Sequence, residues 1–116
     1  MGVIPSSARF KRDIHDMGGA NAGLMWLRPV SFRYKQDPQS QRQYGLIAVE
    51  VAEVYPELVV RGDKGEIESV QYRELIPLIL NELQHQQAAL TTLKAQNAAL
   101  QARLERLESA KTVASR

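Results

Sequence analysis

The sequence predicts an α+β fold, in which a small head of short helices and two β-hairpins precedes a long C-terminal helix. Residues 30–34 alternate apolar with polar side chains, as half-buried strands do, and a turn-forming segment follows them. Beyond Tyr72 the chain has no glycine and carries leucines at helical spacing. With 116 residues, 44% of them hydrophobic and 24% charged, the composition is that of one ordinary soluble domain.

The first part of the chain predicts two short helices. Apolar side chains spaced by four and three residues indicate an amphipathic helix over Arg9–Met17, which the glycine pair after it ends. A second helical stretch is predicted over Asn21–Leu27. It stops before Arg28 and Pro29 because a residue that precedes proline avoids the helical region.

Two hairpins and one helix are predicted next. Val30–Tyr34 and Gln43–Ala48 read as a strand and its return strand, with turn residues over Asp37–Ser40 between them. Ala48–Val54 has a helical period, which ends at the Tyr-Pro pair that follows. In the second hairpin, Leu58–Val60 and the run from residue 67 to residue 70 flank two glycines that would supply positive φ.

The last predicted element is a coiled coil with a two-position apolar stripe in each heptad. Its a and d positions hold Ile79, Leu83, Gln86, Leu90, Leu93, Asn97, Leu100, Leu104 and Leu107. Arg103 at g and Glu108 at the next e could pair between parallel, in-register helices. The heptads leave two, three or four helices open. The alternative is a single amphipathic helix on the head, which usually has a wider stripe.

The residue types exclude several classes of function. The chain has no cysteine and two distant histidines, His15 and His85, so we expect no metal site, no disulfide and no cofactor. The formal charge of +2 does not by itself indicate a nucleic-acid partner. A basic zipper is excluded because the entry to the coiled coil, Glu66–Glu82, is acidic on balance. The longest apolar run, Leu75–Leu80, is too short to cross a membrane.

One constellation near the start of the chain could carry chemistry. Ser6 precedes Lys11 by five residues, and a lysine can activate a serine when its amine is kept neutral by burial or nearby positive charge. Arg9 and Arg12 stand beside this lysine. The structural alternative is that Ser6 or Ser7 caps a helix that begins near residue 9.

Five motifs in one order resemble the peptidase S74 domain, the intramolecular chaperone domain of endosialidases, phage tailspikes and tail fibres. The matching stretches are Ser6–Ile14, Leu27–Lys35, Tyr44–Ala48 with Glu50 and Val51, Val54–Val59, and Val70–Pro77. This resemblance implies a homotrimer that assists folding of an upstream fibre and then cuts itself free by autoproteolysis. Carried over by position, Ser6 is the nucleophile, Lys11 the general base, and Pro5-Ser6 the scissile bond.

The resemblance also gives the expected organisation and setting. Residues 1–5 would be a residual upstream segment, 6–78 the chaperone head, 79–110 the trimeric coiled coil and 111–116 a disordered tail. The upstream fibre or tailspike segment is expected to be absent from this chain. The implied setting is the bacterial host cytoplasm during phage or prophage assembly, or the virion if no cut occurs. The alternative is a non-cleaving structural trimerisation module.

Overall fold

The computed structural model describes residues 5–114 of the chain. They fold as two compact units, one ending at Leu78 and the other beginning at Ile79. The first unit contains short helices and two separate antiparallel hairpins, and a long helix runs to the C-terminal end of the described residues. The α+β class predicted from the sequence is therefore confirmed, whereas the trimeric coiled coil stays a prediction.

The helix predicted over Arg9–Met17 does not form. A 3₁₀ turn occupies Ala8–Phe10, and the residues after it are not helical. Asp13 has a φ of 55°, a left-handed conformation that an α-helix cannot contain. The apolar residues of this segment have helical spacing, but Phe10 and Ile14 are 62% and 66% exposed, so they have no surface to pack against. A helix this short is marginal without a surface to pack its apolar face.

The second predicted helical stretch is confirmed as a 3₁₀ helix over Ala20–Trp26. The Tyr55 hydroxyl donates a hydrogen bond of 2.8 Å to the Ala20 carbonyl, which fastens the start of this helix to the head. A Cβ at Gly23 would lie 2.7 Å from Cγ1 of Val54. Glycine is therefore required here for close packing between the 3₁₀ helix and its neighbour in the head.

The first hairpin forms as predicted but with shorter strands. Strand β1, Val30–Phe32, pairs antiparallel with β2, Gln43–Gly45. Tyr34 lies beyond the end of β1 and is 62% exposed, although its ring packs against that of Phe32, as the alternation predicted. The turn prediction is confirmed, since the Asp37 carboxylate accepts hydrogen bonds of 3.0 Å from two backbone N–H groups that follow it.

A short helix and the second hairpin complete the head. Helix α1 spans Ala48–Val54, and a 3₁₀ turn over Pro56–Leu58 leads into β3, Val59–Arg61. Strand β3 pairs antiparallel with β4, Ile67–Val70, with a bulge near the end of β3. The φ of Gly65 is +83°, as predicted for this turn.

Gly62, the other glycine of this turn, does not adopt the predicted positive φ. Its side-chain position is instead occupied by the carboxylates of Glu66 and Glu68. The backbone N–H of Gly62 also donates a hydrogen bond of 2.8 Å to the Glu66 carbonyl, which closes the turn. The backbone conformation therefore favours glycine at position 65, whereas a Cβ at position 62 would displace only the ends of two flexible side chains.

The head has a small apolar core. Its buried members are Val51, Tyr55, Leu58, Val59, Val70, Leu75 and Leu78. They come from α1, the 3₁₀ turn, both strands of the second hairpin and the start of the long helix. Chains of this size bury a smaller fraction of their surface than larger domains do and often gain stability from self-association.

The long helix α2 spans Tyr72–Ala114 and contains Pro77 near its start. Residues 111–114 are helical, although the sequence predicted a disordered tail from residue 111 onward; residues 115–116 lie outside the described part of the chain. Among residues 5–114, no helix is both long and apolar enough to cross a membrane.

Candidate functional site

Ser6 and Lys11 lie on opposite sides of the 3₁₀ turn Ala8–Phe10, and both are exposed. Two backbone hydrogen bonds of 3.0 Å form the turn, one from the N–H of Phe10 to the Ser7 carbonyl and one from the N–H of Lys11 to the Ala8 carbonyl. A 3₁₀ turn advances about 2.0 Å per residue, against about 3.3 Å in an extended chain. The turn therefore shortens the path between the predicted nucleophile and the predicted base.

The alternative role of a serine as a helix cap does not hold for Ser7. This residue occupies the N-cap position of the 3₁₀ turn, with φ −65° and ψ 141°, but its side chain makes no capping hydrogen bond. A three-residue turn exposes few unpaired N–H groups, so a cap has little to satisfy. The serine pair is thus not explained by helix capping.

The surroundings of Lys11 in the single chain do not bury its amine. Every residue from Pro5 to Ala20 is exposed. The guanidinium of Arg9 lies over the ring of Phe10, with Cζ 4.7 Å from the ring centroid, in a cation–π contact. Because a lysine acts as a base through its neutral amine, which burial favours, catalysis by this residue needs contacts that the single chain does not supply.

The predicted oligomer seam is also exposed. Its seven apolar side chains range from 44% exposed at Leu90 to 61% exposed at Leu83. The polar members, Gln86 and Asn97, are exposed as well, and the Gln86 amide donates a hydrogen bond of 2.8 Å to the Glu82 carboxylate one turn earlier. The single chain thus exposes an apolar stripe that two polar positions interrupt, and exposed apolar surface of this extent usually marks an interaction surface.

An ion pair joins the segment before β1 to helix α1. Nε of Arg28 donates to Oε1 of Glu50 at 3.1 Å, and Nη2 donates to Oε2 at 2.6 Å, so the pair is bidentate. The hydrogen bonds from Arg28 lower the pKa of the Glu50 carboxyl; partial desolvation opposes this effect, and the positive charge of Arg28 adds to it. The same hydrogen bonds and the negative charge of Glu50 raise the pKa of Arg28, and desolvation opposes them.

A shallow apolar cavity of about 300 Å³, which we call the hairpin groove, lies between the two hairpins and the start of α2. Its lining includes Phe32, Tyr34, Ile47, Glu68, Ser69 and Tyr72. The Tyr72 hydroxyl accepts a hydrogen bond of 3.0 Å from the backbone N–H of Leu46 and donates one of 3.4 Å to its carbonyl. A Cβ at Gly45 would lie 2.7 Å from this hydroxyl, so glycine permits the close approach.

The model of the Peptidase_S74 family, described as chaperone of endosialidase, matches residues 6–60. Residues 6–60, just under half of the chain, are therefore similar to the Peptidase_S74 family. The resemblance inferred from the sequence motifs is thereby confirmed for residues 6–60, and the chain carries an endosialidase-type chaperone segment. No curated protein matches the chain at a significant level.

The Peptidase_S74 segment contains both members of the predicted dyad and both members of the ion pair. It ends before β4 and α2, so the predicted motif Val70–Pro77 and the heptads lie beyond the matched residues. Among residues 5–114, no hydrogen bond joins the Ser6 side chain to Lys11. The roles of these two residues therefore stay predictions.

Two features of the head were missed by the sequence reasoning. The Arg28–Glu50 pair spans 22 residues, and opposite charge alone does not identify a partner at that distance. The contact of Tyr72 with Leu46 spans 26 residues and uses a backbone group, which leaves no signal in the side-chain pattern. Among residues 5–114, no group of three histidine, aspartate or glutamate side chains comes together.

Proposed function

We propose that this chain is a C-terminal intramolecular chaperone that forms a homotrimer, assists the folding of an upstream phage tail fibre or tailspike, and releases it by cleaving before Ser6. The observation that carries this proposal is the combination of a Peptidase_S74 segment with an exposed heptad seam in the following helix. Its setting is the host cytoplasm during virion assembly, with the chaperone retained on the virion when no cut occurs.

The trimer is supported by the position and exposure of the seam. The leucines at a and d are about half exposed in one chain. Their burial between copies stabilises the oligomer by about 25 cal/mol per Å² of apolar surface removed from water. Arg103 and Glu108 stand at positions where parallel chains would pair them. The number of three helices comes from the Peptidase_S74 resemblance, because the heptads alone allow two to four.

The cleavage chemistry follows from the residues at the Pro5-Ser6 bond. Neutral Lys11 takes the Ser6 hydroxyl proton as the oxygen attacks the Pro5 carbonyl carbon; the C–N bond then breaks and the Ser6 nitrogen receives that proton. Water hydrolyses the resulting ester and leaves a Pro5 carboxylate. A single intramolecular cut needs no substrate pocket, because proximity can supply about 7–11 kcal/mol of the barrier reduction.

A second candidate function is a non-cleaving trimerisation module that stays attached to its fibre as a structural end piece. The exposure of both Ser6 and Lys11 in the single chain favours this alternative. Both candidate functions use the seam and the head. They differ only in whether the chain cleaves itself before Ser6. An experiment on the N-terminus therefore separates them.

Intact-mass spectrometry of the purified chain tests cleavage. We expect wild type to begin at Ser6, while Ser6→Ala begins at Met1 or Gly2, because alanine lacks the attacking oxygen. Lys11→Gln should also retain the upstream residues. Ser7→Ala is the matched control, since it removes the adjacent hydroxyl and should leave cleavage intact. A wild-type chain that keeps residues 1–5 after prolonged incubation would establish the structural alternative.

A further inference from the structure

We propose that the N-terminal arm, residues 8–17, of one copy docks in the hairpin groove of a neighbouring copy. This inference rests on the proposed self-assembly, which brings copies of the chain together. It assigns a partner to two apolar surfaces that the single chain leaves exposed. One is the set of apolar side chains along the arm, and the other is the groove beside the first hairpin.

The arm has the composition of a docking segment but no packing within its own chain. Phe10, Ile14 and Met17 are 62%, 66% and 36% exposed. After the 3₁₀ turn the backbone is extended at Lys11, with φ −123° and ψ 150°, and it does not return to a helix before residue 18. An exposed segment with regularly spaced apolar side chains can bind by placing them in pockets of a partner.

The hairpin groove offers a preformed apolar receptor. Phe32 and Tyr34 form an edge-to-face pair on its wall, with ring centroids 5.0 Å apart and planes at 85°. Tyr72 is held by its hydrogen bonds to Leu46, so this wall does not have to order on binding. The volume of about 300 Å³ accommodates one or two side chains of the arm rather than a folded domain.

The net positive charge of the arm complements the groove, and because the arm is exposed in its own chain, we assign the groove to the arm of another copy. The arm carries three cations, Arg9, Lys11 and Arg12, and two carboxylates, Asp13 and Asp16, whereas the groove is lined on one side by Glu68 with Glu66 beside it. Complementary charge orients a docking segment and speeds its association.

Docking between copies would also change the surroundings of the predicted cleavage site. Lys11 lies within the arm and Ser6 lies two residues before it, so both would lie against a neighbouring head. The exposure of this lysine in the single chain would then be lost on assembly. Cleavage would consequently depend on correct pairing of the copies.

Cysteine cross-linking tests the docking directly, because the chain has no cysteine of its own. In the double variant His15→Cys, Ser69→Cys, one thiol lies beside the arm's Ile14 and the other lines the groove. We expect mild oxidation to link different copies, giving covalent trimers of about 39 kDa from the 13.0 kDa chain on a non-reducing gel. Peptide mass spectrometry should identify the disulfide between positions 15 and 69.

The matched control replaces Ser31 instead of Ser69. Ser31 is also an exposed strand serine, but it alternates with the groove-lining Phe32 and so lies on the other face of the hairpin. Its disulfide with His15→Cys should form at least about tenfold more slowly, because the effective concentration of the two thiols is lower. Adding Ile14→Asp to the test variant should slow its disulfide formation to the rate of this control.

Three outcomes overturn the docking proposal, and a mass measurement separates them from failure of the proposed function. A disulfide within one chain would show that the arm docks on its own head. Equal rates for the test and control pairs, or no 15–69 disulfide, would show that the groove does not receive the arm. If light scattering still gives a trimer, the proposed assembly survives any of these results; a monomer contradicts both proposals.

Discussion

Arg28 and Glu50 show how a single pair of side chains fixes the local arrangement of the head. The bidentate geometry sets both the distance and the plane in which the segment before β1 meets helix α1. The two side chains are 65% and 38% exposed, so the pair contributes more to orientation than to stability. Both residues lie within residues 6–60 and belong to the motifs on which the resemblance depends.

The ion pair predicts a pH dependence of stability. Because the pKa of Glu50 is lower in the folded chain than its ordinary value of 4.5, its stabilising contribution is present above that value and is lost as pH falls through the folded pKa. Thermal unfolding followed by circular dichroism should therefore show that Glu50→Gln lowers the melting temperature at pH 7 and has a smaller effect at pH 3.

Glu53→Gln is the control for this prediction, since it removes a charge from the same helix. Among residues 5–114, Glu53 has no ion pair. The control should leave the difference between pH 7 and pH 3 close to that of wild type. A Glu50→Gln effect that is the same at both pH values would contradict the proposed electrostatic origin.

Residue-scale features differ in how far sequence predicts them. Ser6 and Lys11 were singled out because a motif names them, while their exposure was visible in the structure alone. The partners Arg28 and Glu50 required the fold, because 22 residues separate them. Charge type is encoded locally, whereas charge pairing depends on which segments the chain brings together.

At the scale of elements, the arm shows that apolar spacing does not by itself form a helix. The same spacing rule predicted the helical segment over Arg9–Met17 and the helix that begins at Tyr72. The long helix forms because propagation over many residues offsets the cost of nucleation, and its first turns are buried at Leu75 and Leu78. The arm has neither that length nor a buried face within its chain.

The heptad register of α2 predicts that an aspartate disrupts the oligomer when it lies in the seam and has no effect on assembly when it lies on the outer face. Leu100→Asp should dissociate the oligomer, because an unpaired charge buried in a coiled-coil core costs about 3–5 kcal/mol. Ala102→Asp places the same charge two residues later at the outer f position and should leave the oligomer intact. Sedimentation velocity measures both variants. Equal behaviour of the two would contradict the assigned heptad register.

For the molecule as a whole, the small amount of buried apolar surface limits the free energy of unfolding. The head has seven buried hydrophobic residues, whereas all seven apolar members of the seam remain exposed. A small core gives a marginal free energy of unfolding, to which association can add. This balance predicts that the stability of the protein depends on its concentration.

Light scattering should give a mass near 39 kDa at micromolar concentration, three times that of the 13.0 kDa chain. The melting temperature should rise with protein concentration, because association stabilises the folded state by mass action. Melting temperatures measured over a dilution series of one sample therefore provide the control. A monomer whose melting temperature is independent of concentration would contradict the proposed trimer.

The sequence by itself determined the α+β class, both hairpins, helix α1 and the long helix, because turn residues and apolar periodicity act over a few neighbouring positions. It also determined the Peptidase_S74 resemblance, which depends on the order of motifs along the chain. The tertiary structure decided that the arm is not helical, that Tyr72 reaches Leu46 and that the hairpin groove exists. These features arise from contacts between distant segments, whose free energies depend on surfaces that no local pattern encodes.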